Sequence, residues 1–222
     1  MISQNTTRRQ KSTPDSLGRG NRIPLNKRID ALIAKMRSCA ANNKPLNFSE
    51  SAHREITEAL RIVAYDDDSA SREHIGQQVK VVYGDGSKGL PIKIRCLSPC
   101  QEERIDEKRS LHVGTLSFRH LDYDGQIDLY LIRDRETRTL SNGEVDKLAY
   151  DRMKELVQDS TLRKSGSRLV LFQTGLEPLI IGAYRAVIEE LMIRRSQQLP
   201  TLVVQPVFFA DDQRTGNGKA WS

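Results

Sequence analysis

Thr174 and Gly175 belong to the segment Gln173-Thr174-Gly175-Leu176-Glu177-Pro178, which joins an apolar run to a long helical pattern. A hydroxyl and a glycine at such a junction are residue types that hold an anion, because free N–H groups and the positive end of a helix dipole converge there. Glu177 puts a carboxylate into the same first turn and already complements the dipole, so an ordinary capped turn is the competing reading. Gly84-Asp85-Gly86-Ser87-Lys88-Gly89 has the glycine spacing of a dinucleotide-binding loop. That loop must open a helix whose N-terminus holds the pyrophosphate, yet Leu90-Pro91-Ile92-Lys93-Ile94 follows and reads as a strand. The segment is therefore expected to be a hairpin loop, with Lys88 the one cation among its glycines.

No catalytic set is legible. His53, His74, His112 and His120 include no pair four residues apart on a predicted helix, and no Gly-x-Ser-x-Gly elbow occurs. Cys39, Cys96 and Cys100 are an odd number of thiols, which points to a reducing compartment. Cys96 and Cys100 lack the second pair that a zinc ribbon needs, so all three are read as structural thiols. No catalytic residue, metal ligand or cofactor is assigned.

Asp122, Asp124 and Asp128 cluster around Asp124-Gly125, with His120 beside them. Gly125-Gln126-Ile127-Asp128-Leu129 resembles the Gly-x-Ile-Asp strand of metal-dependent nucleases of the PD-(D/E)xK type. In that group the resemblance implies a second strand with an acid, a spacer and a lysine, the acids holding a divalent cation and the lysine polarising water. The run Arg168–Thr174 carries Gln173 and no lysine, so the set is incomplete, and aspartates at a turn also bond their own backbone. Phe118, Tyr123 and Tyr130 alternate nearby and can serve either as a base-stacking platform or as core and cross-strand packing.

Charge is distributed unevenly. Residues 1–28 carry Arg8, Arg9, Lys11, Arg19, Arg22, Lys27 and Arg28 against Asp15 alone, while the chain's net charge is +6. The excess is thus N-terminal and the remaining residues are neutral overall. A basic arm is drawn to polyanions by counterion release without reading sequence. A solubilising leader and an organelle presequence are the alternatives, the latter weakened by the lack of leucine or phenylalanine at helical spacing. No apolar stretch approaches the length of a membrane span and no secretory signal is evident, so a cytoplasmic protein without a membrane partner is expected.

The elements that must position these residues follow from hydrophobic period. Residues 1–22 have hardly any large apolar residue and are expected to be a disordered arm. Leu25, Ile29, Leu32, Ile33 and Met36 form one helical stripe, and Ala52, Ile56, Ala59, Leu60 and Val63 another, making a helical hairpin over 23–68. Ser49 is the expected cap of the second helix, and Asp66, Asp67 and Asp68 end it.

Strands are expected at 79–83 and 90–96, then at 111–121 and 127–133 as an antiparallel hairpin across Asp124-Gly125. Ser141 and Glu144 form a capping-box pattern opening a helix that closes near Gly166. A strand at 168–174, a helix at 177–195 and a strand at 201–209 complete a βαβ unit, and 211–222 reads as a frayed tail.

The fold class is therefore α+β: a mixed sheet with helices packed on it over 77–210, preceded by the helical hairpin and the basic arm. Three functions are consistent with it. The first is a nucleic-acid-associated accessory protein holding phosphates through its arm. The second is a non-catalytic protein-interaction or assembly factor using the helical hairpin. The third is a divalent-metal nuclease-like enzyme.

Overall fold

Ile29, Leu32, Ile33, Met36 and Ala40 fall on one side of α1 (Leu25–Ala41) and are its buried residues, as the apolar stripe requires. In the computed structural model, residues 23–48, 53–65, 74–95, 110–117, 126–163 and 166–208 are described. The expected arm, the Ser49 cap, Asp66–Asp68, Cys96, Cys100, Phe118, His120, Asp122, Tyr123, Asp124 and the C-terminal tail lie outside them.

The elements after α1 are β1 (Pro45–Phe48), α2 (His53–Tyr65), β2 (Gln78–Tyr83), β3 (Ile92–Lys93), β4 (Ser110–Leu116) and β5 (Leu129–Ile132). Then come α3 (Asp134–Thr137), α4 (Asn142–Val157), α5 (Ser160–Arg163), β6 (Ser167–Gln173), α6 (Glu177–Ser196) and β7 (Leu202–Phe208). The α+β class holds, with the strands divided between two sheets: a three-stranded sheet in the order β1-β2-β3 and a four-stranded sheet in the order β5-β4-β6-β7.

Three local expectations are corrected. A strand, β1, stands between the two N-terminal helices and pairs parallel with β2, Leu46 opposite Val81 and Phe48 opposite Tyr83. The helical hairpin is therefore a helix followed by a βαβ crossover. The short segment Pro-Leu-Asn-Phe alternates exposed and buried, which qualifies it as a strand although Pro45 signals a break. Secondly, β4 and β5 are not an antiparallel hairpin. They pair parallel, Val113 with Leu129, Gly114 with Tyr130 and Leu116 with Ile132. The reason is burial: Val113, Gly114, Thr115 and Leu116 are buried in succession, the mark of a strand covered on both faces. Thirdly, the helix from Asn142 ends at Val157, and Asp159 opens a separate turn by accepting the Thr161 N–H at 2.8 Å.

The closing βαβ unit is present, with β6 and β7 parallel. The crossovers β5-to-β6 and β6-to-β7 step across the sheet in the same direction, so a common hand puts α4 and α6 on one face. Their backbones meet at Gly182, where an added Cβ would overlap the Asp146 carbonyl. α6 is buried nearly all round from Pro178 to Ile188, as befits a helix enclosed by neighbours.

A buried polar knot fastens the first sheet to this helical layer. Asp146 accepts from Arg185 Nη1 at 2.6 Å, from the Tyr83 hydroxyl at 2.7 Å and from the Leu90 N–H at 3.2 Å. Arg185 Nη2 also donates to the Leu90 carbonyl at 2.6 Å. Burial, and then the Asp146 carboxylate, push the Tyr83 phenol well above its usual range. The glycine loop completes the junction. Asp85 Oδ2 accepts the Asn142 N–H at 2.9 Å and Ser87 Oγ accepts the Gly143 N–H at 2.7 Å, so the loop caps α4 from outside its own element.

Candidate anion-binding cleft

Parallel sheets gather ligands at the carboxyl ends of their strands, because loops and helix N-termini open there. In the four-stranded sheet the strand order reverses between β4 and β6. That gap is closed by two threonines. Thr174 Oγ1 donates to the Leu116 carbonyl at 2.8 Å and accepts the Leu116 N–H at 3.0 Å, extending the ladder past the end of β6. Thr115 Oγ1 accepts the Thr174 N–H at 2.9 Å and donates to the Thr174 carbonyl. Thr174 is buried, and its hydroxyl is committed to the sheet in both its donor and acceptor capacity. Gly175 follows at φ +108°, a left-handed conformation that turns the chain into α6.

The open space lies one strand over. A cleft of about 870 Å³ is lined by Ser117 at the end of β4, Leu129 and Tyr130 of β5, and Arg133, Asp134, Arg135 and Arg138 around α3. Its scaffold is specified locally. Ser117 donates its N–H to the Ile132 carbonyl at 3.0 Å and accepts the Asp134 N–H on Oγ at 3.1 Å, which ties the β5–α3 junction to β4. Glu136 accepts the Arg133 N–H at 2.7 Å and two bonds from Arg152 of α4, at 2.6 Å and 3.2 Å. The Arg152 guanidinium, and then the Arg133 N–H, hold the Glu136 carboxyl below the usual carboxylate range. Arg152 also donates to the Leu131 carbonyl at 2.8 Å. The segment carrying the arginines is thus bolted both to the sheet and to α4.

Among the described residues, the cleft's charges do not cancel. Asp134 pairs with Arg138, Nη2 to Oδ2 at 3.1 Å. Arg133 and Arg135 are exposed and form no ion pair among the described residues, so two guanidiniums are available to a ligand. Guanidinium groups match phosphate and carboxylate oxygens with paired donors, and a concave surface concentrates their field. Tyr130 lines the same cleft, its ring lying against Gly114. An aromatic ring and two exposed guanidiniums lining one cleft suit a ligand that is anionic at one end and planar at the other.

The residues singled out in the sequence are dispersed. Lys27 is exposed on α1, and Arg28 pairs with Glu55 of α2 at 2.6 Å. Arg8, Arg9, Lys11, Arg19 and Arg22 lie outside the described residues. Asp128 sits at the amino end of β5, where its carboxylate accepts the His112 N–H at 2.7 Å, extending the β4–β5 ladder away from the cleft. No group of three or more histidine, cysteine, aspartate or glutamate side chains that could hold a metal occurs among the described residues. Tyr130 is the one member of the aromatic trio that is described, and it does line the cleft.

The sequence pattern alone does not single out Arg133, Arg135 and Arg138. The available signal is the run Arg133-Asp134-Arg135-Glu136-Thr137-Arg138 directly after the apolar strand Leu129–Ile132. It points to a site only once β5 is known to be parallel to β4. No family model, no curated protein and no solved structure matches this chain.

Proposed function

We propose that the protein is a nucleic-acid-associated binding protein that takes phosphate groups in the cleft of Arg133, Arg135 and Arg138. The basic arm, with Arg8, Arg9, Lys11, Arg19 and Arg22, adds contacts that are independent of sequence. The observation that carries this reading is the two exposed guanidiniums of Arg133 and Arg135, which form no ion pair among the described residues and line the same cleft as Tyr130 at the carboxyl end of a parallel sheet. Because the chain beyond residue 28 is neutral overall, a local concentration of positive charge is informative there.

The reading of the N-terminal helices as a partner surface has less support. α2 buries Ile56, Ala59, Leu60 and Val63 within the common core that also contains Leu179, Ala183 and Val187 of α6, so its apolar face is already occupied.

Fluorescence anisotropy with labelled DNA and RNA tests the proposal. The double variant Arg133→Ala/Arg135→Ala is expected to weaken binding of every sequence alike, as removal of phosphate-binding cations does. Binding by the double variant that equals the unaltered protein's would move the phosphate contacts away from the cleft.

A further inference from the structure

The cleft's shape narrows its ligand. Its volume of about 870 Å³ falls in the range of pockets that enclose small ligands, roughly 300–1,000 Å³. A paired duplex keeps its bases stacked inside and can offer such a cleft only its phosphates. An unpaired nucleotide can offer a phosphate and the face of a base together.

The cleft lining includes an aromatic ring held close to the sheet. The parallel register sets Tyr130 opposite Gly114. A Cβ at position 114 would stand 2.5 Å from both Cδ1 and Cε1 of Tyr130, so only glycine there lets the ring lie against β4. Tyr130 is half-buried, and it lines the cleft together with Leu129. Arg133 and Arg135 lie on the same cleft and supply the phosphate contacts.

We infer that the cleft seats an unpaired nucleotide of a single strand, its base stacked on Tyr130 and its phosphates on Arg133 and Arg135. This rests on the reading of the cleft as a phosphate site and adds the class of nucleic acid.

The test measures the full chain at fixed salt against an oligothymidylate strand and the same strand annealed to its complement. Tyr130→Ala is expected to lower single-strand affinity by roughly five- to a hundredfold, the effect of one base–aromatic stack, and to leave duplex affinity unchanged. Tyr130→Phe keeps the ring and is expected to keep the affinity. Because Tyr130→Ala also uncovers Gly114, a second measurement uses the unaltered protein with a strand carrying 2-aminopurine, whose emission falls when the base stacks. Unchanged 2-aminopurine emission, or equal effects of Tyr130→Ala on strand and duplex, overturns the inference. If Arg133→Ala/Arg135→Ala still weakens both ligands in that case, the phosphate cleft survives without its single-strand preference. Failure of the unaltered protein to bind either ligand overturns both.

Discussion

Asp146→Ala isolates the contact that joins the first sheet to α4 and α6. The substitution leaves the Arg185 side chain, 7% exposed, without its carboxylate, and leaves the Tyr83 hydroxyl and the Leu90 N–H without their acceptor. Removing one partner of a buried ion pair costs about 3–5 kcal/mol, chiefly because the remaining charge is stranded away from water. That is a large share of the 5–15 kcal/mol or so that holds a typical domain folded. For a chain of this size the loss corresponds to a fall in Tm of roughly 6–20 °C. Urea unfolding followed by circular dichroism is the assay, with a lower midpoint and an unchanged slope as the expected outcome. The double variant Asp146→Leu/Arg185→Met removes both charges and is expected to recover the part of the loss that comes from the stranded charge, while the Tyr83 hydroxyl and the Leu90 N–H still lack an acceptor. A loss below about 1 kcal/mol for Asp146→Ala, the scale of an exposed pair, would refute the reasoning.

Two further outcomes follow from the same geometry. Glu136 has a depressed folded pKa, so its stabilising contribution is complete above the unfolded value of about 4.3 and is lost as pH falls through the lower folded value. Urea midpoints measured from about pH 6 down to about pH 3 are expected to decline, with a shallower decline in Glu136→Gln; identical acid limbs would contradict this. Gly182→Ala drives a methyl into the Asp146 carbonyl at the closest approach of α4 and α6. It is expected to destabilise by about 1–3 kcal/mol or more, whereas a Tm equal to the unaltered protein's would show that the helices shift apart freely.

Much of the helical architecture is readable from local pattern, because a helix's stripe and its cap are properties of neighbouring residues. Ser141 and Glu144 illustrate it: the Ser141 N–H donates to Glu144 Oε2 at 2.8 Å, and the Glu144 N–H donates back to Ser141 Oγ at 3.4 Å. The β6–α6–β7 unit is equally legible from its apolar runs and connection length. The pairing of β4 with β5 is not. Asp124-Gly125 favours a tight turn locally, but parallel pairing is decided by what covers both faces of β4, and no local window contains that information. The glycine loop is opaque for a related reason. Asp85 and Ser87 cap a helix that starts at Asn142, so the partner that gives the loop its role is remote in sequence. The cleft inherits the first of these difficulties. Ser117, Tyr130 and Arg135 share one site only when β4 and β5 end at the same edge.

The salt dependence of binding tests the cleft most directly. For a single strand, the slope of log Kobs against log salt changes by about 0.7 for each phosphate that a protein cation ceases to neutralise. Arg133→Ala/Arg135→Ala is therefore predicted to make the slope shallower by about 1.4, on top of whatever part the arm contributes. Neutralising the arm by replacing Arg8, Arg9, Lys11, Arg19 and Arg22 with glutamine is predicted to leave that difference in place. A double variant whose slope matches that of the unaltered protein, with all salt dependence abolished on neutralising the arm, would contradict the account and leave the cleft without a phosphate.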